Sequence, residues 1–344
     1  MFAPKPATLA EPSLRSSRIP GVGIGHAEDR TAFSGVTAIV FERPAIASVS
    51  VLGGAPGGRD TGLLDPSMTV ETVDAFVLSG GSAFGLDAAG GAMSTLAARG
   101  RGLAVGAARV PIVPQAILFD LLAGGDFGGH RHPRYWDLGQ AAVEAAGADF
   151  AIGSCGAGLG ATTANLKGGF GTAHAARPDG LAVQAFIAVN AIGSATIGDG
   201  PFFWAAPYEQ DNEFGGRGWP PALPANALAL RIKGHATRPA TTIGAIVTNA
   251  RLTKPQAARL AIMAQDGLAR AIRPAHAAMD GDTIFAAATG DLPLSQPLFD
   301  LTELGMMAGD CVARAIAVGV HAATSLPFAG ALPSWQDRFA DGSR

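Results

Sequence analysis

The segment Thr241–Asn249 reads TTIGAIVTN. A run this rich in β-branched residues belongs in a central strand, where stiff branched side chains pack well on a pleated surface. Such a strand needs apolar cover, and the chain can supply it. Of 344 residues, 48% are hydrophobic and 15% charged, ample for a sizeable core in one large or two smaller domains. The charged share lies well below that of ordinary soluble domains. That pattern fits either surface buried against other subunits or a large core with long buried strands.

The rest of the chain mixes strands and helices without strict alternation. Val36–Phe41 and Ala47–Leu52 predict short strands around a turn at Pro44, and Ala75–Leu78 a buried strand. Ala83–Ala98 predicts a helix closed by Gly100, with Ser82 as its cap, and Gly139–Ala146 a second helix. Phe186–Asn190, Ala227–Ile232 and Thr283–Ala288 read as strands. Residues 200–225 hold five prolines with Trp204 and Trp219 and read as a long loop. Lys254–Arg270 carries apolar residues at helical spacing with Pro255 in its first turn, and Gly305–Val318 is a last helix of small residues suited to close packing. Residues 1–18 form a loosely held arm. This order of elements favours a layered α/β sandwich over a doubly wound sheet. The 47 glycines and 23 prolines are interleaved with apolar runs, which fits loop-rich α/β structure rather than disorder.

Several function classes are excluded by what is missing. Net charge is −3 with no basic stripe, so nucleic acid and anionic membranes are poor partners. The first twenty residues lack the apolar core of a signal peptide. The most apolar stretch, Leu181–Gly198, is interrupted by Gln184, Asn190, Ser194 and Thr196. A soluble cytoplasmic protein is expected. Cys155 and Cys311 make no disulfide framework and read as free buried thiols. GAGLGA at 156–161 matches a relaxed dinucleotide fingerprint, but only Asp179 lies near the required acidic position. Ser82 in GGSAFG lacks the spacing of a nucleophile elbow. His130 and His132 supply two ligands, too few for a metal site.

One constellation remains. Thr241 and Thr242 open the central strand directly after Pro239-Ala240. Lys167 is the one lysine in the glycine-rich stretch 153–173, Asn190 ends an apolar strand, and Asp280 and Asp282 are two apart in MDGDT, on one face if extended. Each is ordinary alone; D-G-D usually makes a turn. Together they supply what a threonine nucleophile requires. A hydroxyl needs a base, and a freed α-amine can serve. An amide can stabilise an oxyanion, a lysine raises the local potential, and carboxylates orient the amine or accept protons.

Seven segments in order resemble the DmpA-like peptidases, which include D-Ala-esterase/L-aminopeptidases, β-peptidyl aminopeptidases and 6-aminohexanoate-oligomer hydrolases. They are IPGVGIGHAED at 19–29, LGGAPGGRDTGLLDP at 52–66, LSGGSAFGLDAAGGAM at 78–93, RVPIVPQAILFDL at 109–121, GAGLGATTANLKGGFGTA at 156–173, TTIGAIVTNA at 241–250 and MDGDTIFA at 279–286. The resemblance covers about residues 18–325. It implies a four-layer αββα sandwich of the DmpA/ornithine-acetyltransferase type. It also implies self-cleavage between Ala240 and Thr241, with an α fragment ending at 240, a β fragment of 241–344, and α/β pairs assembled into a homo-oligomer, a tetramer of heterodimers. Thr241 corresponds to the nucleophile of the oligomer-hydrolase branch. Lys167, Asn190, Asp280 and Asp282 match that family's lysine, strand-end asparagine and two aspartates. The chain departs from the pattern at Ala240, where that branch has asparagine, and at Phe119, where some members have tyrosine; without that hydroxyl Phe119 can only shape the pocket.

The reading is a self-processing N-terminal-threonine amidohydrolase that needs no metal or organic cofactor. Its substrates would be small peptides, aminoacyl amides or ω-amino-acid oligomers. Two rivals are an acyltransferase of the ornithine-acetyltransferase type and a non-catalytic binding protein on the same fold.

Overall fold

A computed structural model of the chain describes residues 13–127, 134–234 and 240–340. Its strands are β1 (Ser13–Ser16), β2 (Val22–Asp29), β3 (Ser34–Val51), β4 (Gly58–Arg59), β5 (Thr72–Ser79), β6 (Leu103–Val105), β7 (Ala108–Val110), β8 (Gln115–Ile117), β9 (Asp149–Ile152), β10 (Phe170–Ala176), β11 (Ala182–Asn190), β12 (Thr241–Ala250) and β13 (Thr283–Leu292). Its helices are α1 (Ala88–Ala98), α2 (Arg134–Glu144), α3 (Lys254–Ala264), α4 (Asp266–Ala271), α5 (Pro297–His321) and α6 (Trp335–Phe339).

β3 organises the molecule. The order β10-β11-β12-β13-β3-β5-β8-β4 runs through it, and β2 pairs with it as well. Its second half lies beside β13 through Ala47–Val51, and its first half between β2 and β5. The two short strands expected around a Pro44 turn are therefore one strand. Pairing with β5 slips between Val40 and Ala45, and Glu42, Arg43 and Pro44 are exposed there. A proline has no N–H for the ladder, so it sits where the ladder is already irregular.

Alternation along the strands builds the layers. Ile39 and Phe41 of β3 and Phe76 and Leu78 of β5 face the main core, whereas Val36, Ala38, Ala75 and Val77 join a second core with residues of α1 and α2. In the main core Phe76 stacks on Phe285 of β13, with ring centroids 4.6 Å apart, and His26 of β2 meets Phe170 of β10 edge-on. On the far side α5 packs against β10 and β11, and α3 against β3 and β13. The result is the αββα arrangement: α1/α2, two sheet layers, then α3/α4/α5. By length and apolar composition α5 could cross a bilayer, but here it is a core helix. Gly171 lets it approach, since a Cβ there would lie 2.0 Å from the Ala315 carbonyl. Phe76 and Phe285 are both fully buried. Phe285→Ala is expected to destabilise the fold by about 3–5 kcal/mol through transfer and cavity costs, measurable by denaturant unfolding.

Other expectations change in detail. Residues 13–16 of the expected arm are strand β1, paired with β9; residues 1–12 lie outside the described set. Residues 227–232 form turns rather than a strand, with Leu228 and Leu230 exposed; no neighbouring strand pairs with them. Lys254–Arg270 is two helices. The chain tightens at Gln265, whose N–H bonds the Ile262 carbonyl three residues back while its side-chain amide donates to the Ser50 carbonyl at 2.8 Å. Ser82 does not cap a helix through its side chain. It lies inside a 3-10 turn (Ser82–Asp87) that precedes α1, with Gly81 as the left-handed residue before it. The last long helix extends to Pro297–His321 and is followed by α6.

Candidate active site

The site forms where β12 begins between β11 and β13. Register places Thr241 opposite Asn190 at the end of β11, and Ile243 beside Thr283 at the start of β13. The preceding residue, Ala240, bridges to Asp280. This geometry gathers Thr241, Asn190, Asp280 and Asp282 from three distant parts of the sequence. The Thr241 hydroxyl donates to the Ala240 carbonyl. The same carbonyl accepts the Gly281 N–H at 3.1 Å. Thr241 is 5% exposed and Thr242 fully enclosed. The Thr242 hydroxyl is buried with no hydrogen-bond partner among the described residues, so none of them supplies a base or acceptor that could activate it.

Asp280 and Asp282 hold different things. Asp280 accepts the Ile192 N–H at 3.3 Å and the Ala277 N–H at 3.2 Å. Asp282 accepts the Thr242 N–H at 2.8 Å on one oxygen, and on the other both the N–H and the ring Nδ1 of His276, at 3.0 and 2.8 Å. Burial and the neighbouring Asp282 charge push Asp280 up to about 7, so near neutrality it can carry a proton. For His276, burial opposes the charged ring, but the Asp282 carboxylate and the Gln265 carbonyl outweigh it and raise its pKa.

Asn190 is fixed from both ends. Its side-chain oxygen accepts the Thr162 N–H at 3.0 Å and the Lys233 ammonium at 2.7 Å, and its amide donates to the Phe119 carbonyl at 2.9 Å. One amide proton is thereby used, and the group has a second. Thr162, Lys233 and Phe119 all line a cavity of about 280 Å³, near the lower end of small-molecule sites. Phe119 thus contributes through its backbone as well as its ring. The apolar wall is Leu122, Leu326, Phe328 and Leu332, with Phe328 stacked on Phe33.

Lys167 also lines this cavity, but its bonds run elsewhere. Its ammonium donates to the carbonyls of Gly158, Ala161 and Gly168 at 2.9, 2.8 and 2.7 Å. That uses all three donors, so Lys167 offers none to the cavity and instead ties down the loop around it. Burial brings it down to about 7. Beside it Asp120, raised to about 6 by burial, accepts the Gly81 N–H and the Ser34 hydroxyl, each at 2.7 Å. The GAGLGA stretch serves this lysine cage. It forms a short 3-10 turn with no α-helix after it, so it lacks the helix N-terminus that holds a pyrophosphate.

Sequence reading missed Lys233, His276 and Gly281. Lys233 follows directly on the 227–232 segment expected as a strand, and only its burial reveals it. His276 precedes Asp282 by six residues, a spacing with no motif behind it. Gly281 was visible, but as a turn glycine. Cys155 and Cys311 are free and buried as expected, and burial pushes both thiols up. His130, His132 and Pro239 lie outside the described residues.

Known proteins resemble this chain along most of its length. The sequence model of Peptidase family S58 matches residues 17–331. A protein of Mycobacterium tuberculosis named an uncharacterized aminopeptidase is 42% identical over 318 residues, covering 89% of this chain and 90% of that one. The 6-aminohexanoate-oligomer endohydrolase of Paenarthrobacter ureafaciens is 29% identical over 320 residues, covering 88% and 81%. Among solved structures, a Burkholderia sp. beta-aminopeptidase superposes with a TM-score of 0.68 at 21% identity, covering 96% of this chain and 94% of its own. The L-aminopeptidase D-Ala-esterase/amidase of Ochrobactrum anthropi, described as a variant of the Ntn-hydrolase fold, gives 0.64 at 19% identity, covering 93% and 90%. With a family match across nearly the whole length and the αββα fold of these neighbours, the chain belongs to Peptidase family S58, the DmpA-type aminopeptidases, and is an amide-bond hydrolase.

Proposed function

We propose that the chain cuts its own Ala240–Thr241 bond and then hydrolyses amides through the freed Thr241. The observation that carries this reading is the shared environment of one carbonyl. The Ala240 oxygen accepts both the Thr241 hydroxyl and the Gly281 N–H. A nucleophile thus lies against the bond it would attack, with a backbone donor already on the oxygen that would become negative. The Thr241 Oγ attacks the Ala240 carbonyl carbon and gives up its proton. The C–N bond breaks and the Thr241 nitrogen takes a proton, leaving an ester. Water then cleaves the ester, releasing the Ala240 carboxylate and a threonine with free hydroxyl and free α-amine.

In the mature enzyme that amine, assisted by the Asp282 network, accepts the hydroxyl proton as Thr241 attacks a substrate amide. Asn190 and nearby N–H groups hold the oxyanion, and water releases the acyl group. Asp280 carries a proton suited to a leaving amine. A mixed cavity of apolar wall and two lysines suits short amides with an apolar acyl chain. Candidates are amino-terminal peptides, aminoacyl amides and ω-amino-acid oligomers. Exposed Leu298, Phe299 and Met306 on α5 suit assembly of α/β pairs into a homo-oligomer.

Intact mass and N-terminal sequencing of purified protein test the first stage. The expected result is two fragments, the second beginning at Thr241. Aminoacyl p-nitroanilides, β-peptides and 6-aminohexanoate oligomers test the second. An uncut chain that still hydrolyses amides would sink the scheme, and preferential acyl transfer to an added amine would favour the transferase reading.

A further inference from the structure

His276 sits in the loop between α4 and β13 at a backbone φ of +55°, a left-handed conformation that, glycine aside, is enriched in asparagine, aspartate and histidine. That turn aims both its N–H and its ring Nδ1 at one oxygen of Asp282. On its other side the ring faces the Gln265 carbonyl. A carboxylate on the ring nitrogen favours the charged imidazolium, and against the burial that lowers the pKa of His276 the Asp282 contact raises it. The other oxygen of Asp282 holds the Thr242 N–H, next to the nucleophile. The ring is partly open to solvent, its side chain 21% exposed against 3% for Asp282.

Two carboxylates this close, both buried, do not ionise together easily. Something must decide which keeps the proton. Among the described residues, His276 acts at Asp282 and Lys233 at Asp280. His276 bonds its carboxylate directly, whereas the Lys233 ammonium is bonded to Asn190 through its side-chain oxygen and its backbone carbonyl.

We propose that His276 is a positioning residue for the Thr241 nucleophile: its N–H and ring Nδ1 hold one oxygen of Asp282, and its charge pairs with that carboxylate, so that the other oxygen stays on the Thr242 N–H beside the nucleophile. The proposal rests on the hydrolase reading above and adds a division of labour to it. Asp282 anchors the strand start through the Thr242 N–H and stabilises the new α-amine as an ammonium between proton transfers. Asp280, protonated, serves the leaving nitrogen.

The substitution that isolates this role is His276→Asn. Asparagine tolerates the left-handed backbone and keeps a side-chain N–H for Asp282, but it carries no charge. Without the cation the Asp282 carboxylate loses its counter-charge. The acidic limb of the pH profile of kcat/KM should move up by about one pH unit, with the rate at the new optimum largely kept. A profile that superimposes on the wild type would overturn the proposal. A second measurement does not depend on activity. In the uncut Thr241→Ala protein, nitrogen NMR of the imidazoles, assigned by loss of a signal in His276→Asn, should show His276 titrating above an ordinary imidazole. Its midpoint should fall when Asp282→Asn is added. A midpoint at or below that of an ordinary imidazole, or one indifferent to Asp282→Asn, would overturn the proposal even if hydrolysis is confirmed. Conversely, an uncut and inactive wild type with the expected titration would defeat the hydrolase reading and leave the pair standing.

Discussion

Thr241→Ala is expected to purify as one uncut chain, near the 34.6 kDa of the full sequence, with amide hydrolysis reduced by roughly 10⁴-fold or more. Removing the hydroxyl removes both the group that attacks Ala240 and the group that attacks substrate, so both stages fail together. Thr241→Ser keeps a hydroxyl at the same position and should still mature. The neighbouring residue gives the sharpest contrast. The Thr242 hydroxyl is enclosed and without a partner among the described residues, and a buried unpaired hydroxyl is a cost to the fold. Thr242→Val replaces it with a group of the same shape. It should cut normally, hydrolyse within about threefold of wild type, and be no less stable. Intact mass and a fluorogenic amide assay read all three variants. A cut, active Thr241→Ala would move the nucleophile elsewhere.

How much of this site the sequence revealed differs residue by residue. The strand at 241–250 was legible because β-branched residues in an apolar run have few other places to go. Thr241, Asn190, Asp280 and Asp282 were legible through resemblance, and the structure brings them to adjacent strand ends. Lys167 shows the limit of that approach. A lysine amid glycines was visible, yet its bonding was not, because its acceptors are carbonyls that any residue carries. Lys233 and His276 left no trace, since each acts through a contact 43 or 6 residues away in sequence. At the level of the fold, the runs at 36–41 and 47–52 gave both ends of β3 as strand, but not its continuity through Pro44. That depends on the ladder to β5 slipping there, which is a property of two strands together.

Gly281→Ala should be the next most damaging change, although it adds a single methyl group. A Cβ built on Gly281 would lie 2.8 Å from the Thr241 Oγ1, 3.1 Å from its Cγ2 and 2.9 Å from the Ala55 carbonyl. Something must move, and the turn has little freedom. The Ala55 N–H bonds the Asp280 carbonyl at 2.7 Å, and the Leu52 and Gly53 N–H groups bond the Asp282 carbonyl at 3.1 and 3.3 Å. With the turn clamped from residues 52–55, the softest element is the Thr241 side chain. The methyl group would drive it off the Ala240 carbonyl and also disturb the Gly281 N–H on that oxygen. Misplacing a reacting group by about 1 Å costs roughly 10²-fold, and weakening an oxyanion donor costs a similar factor. Uncut chain should therefore accumulate, and hydrolysis by whatever fraction matures should fall by about 10²-fold or more. Gly62→Ala is the control, because nothing lies within 4 Å of its Cβ position, and it should mature and hydrolyse as wild type does. The double variant Gly281→Ala with Thr241→Ser removes the Cγ2 that the methyl would strike, so it should recover part of the maturation that Gly281→Ala loses. Normal maturation and activity in Gly281→Ala would mean that the working hydroxyl does not occupy the space against Gly281, and the attack geometry drawn from that contact would have to be abandoned.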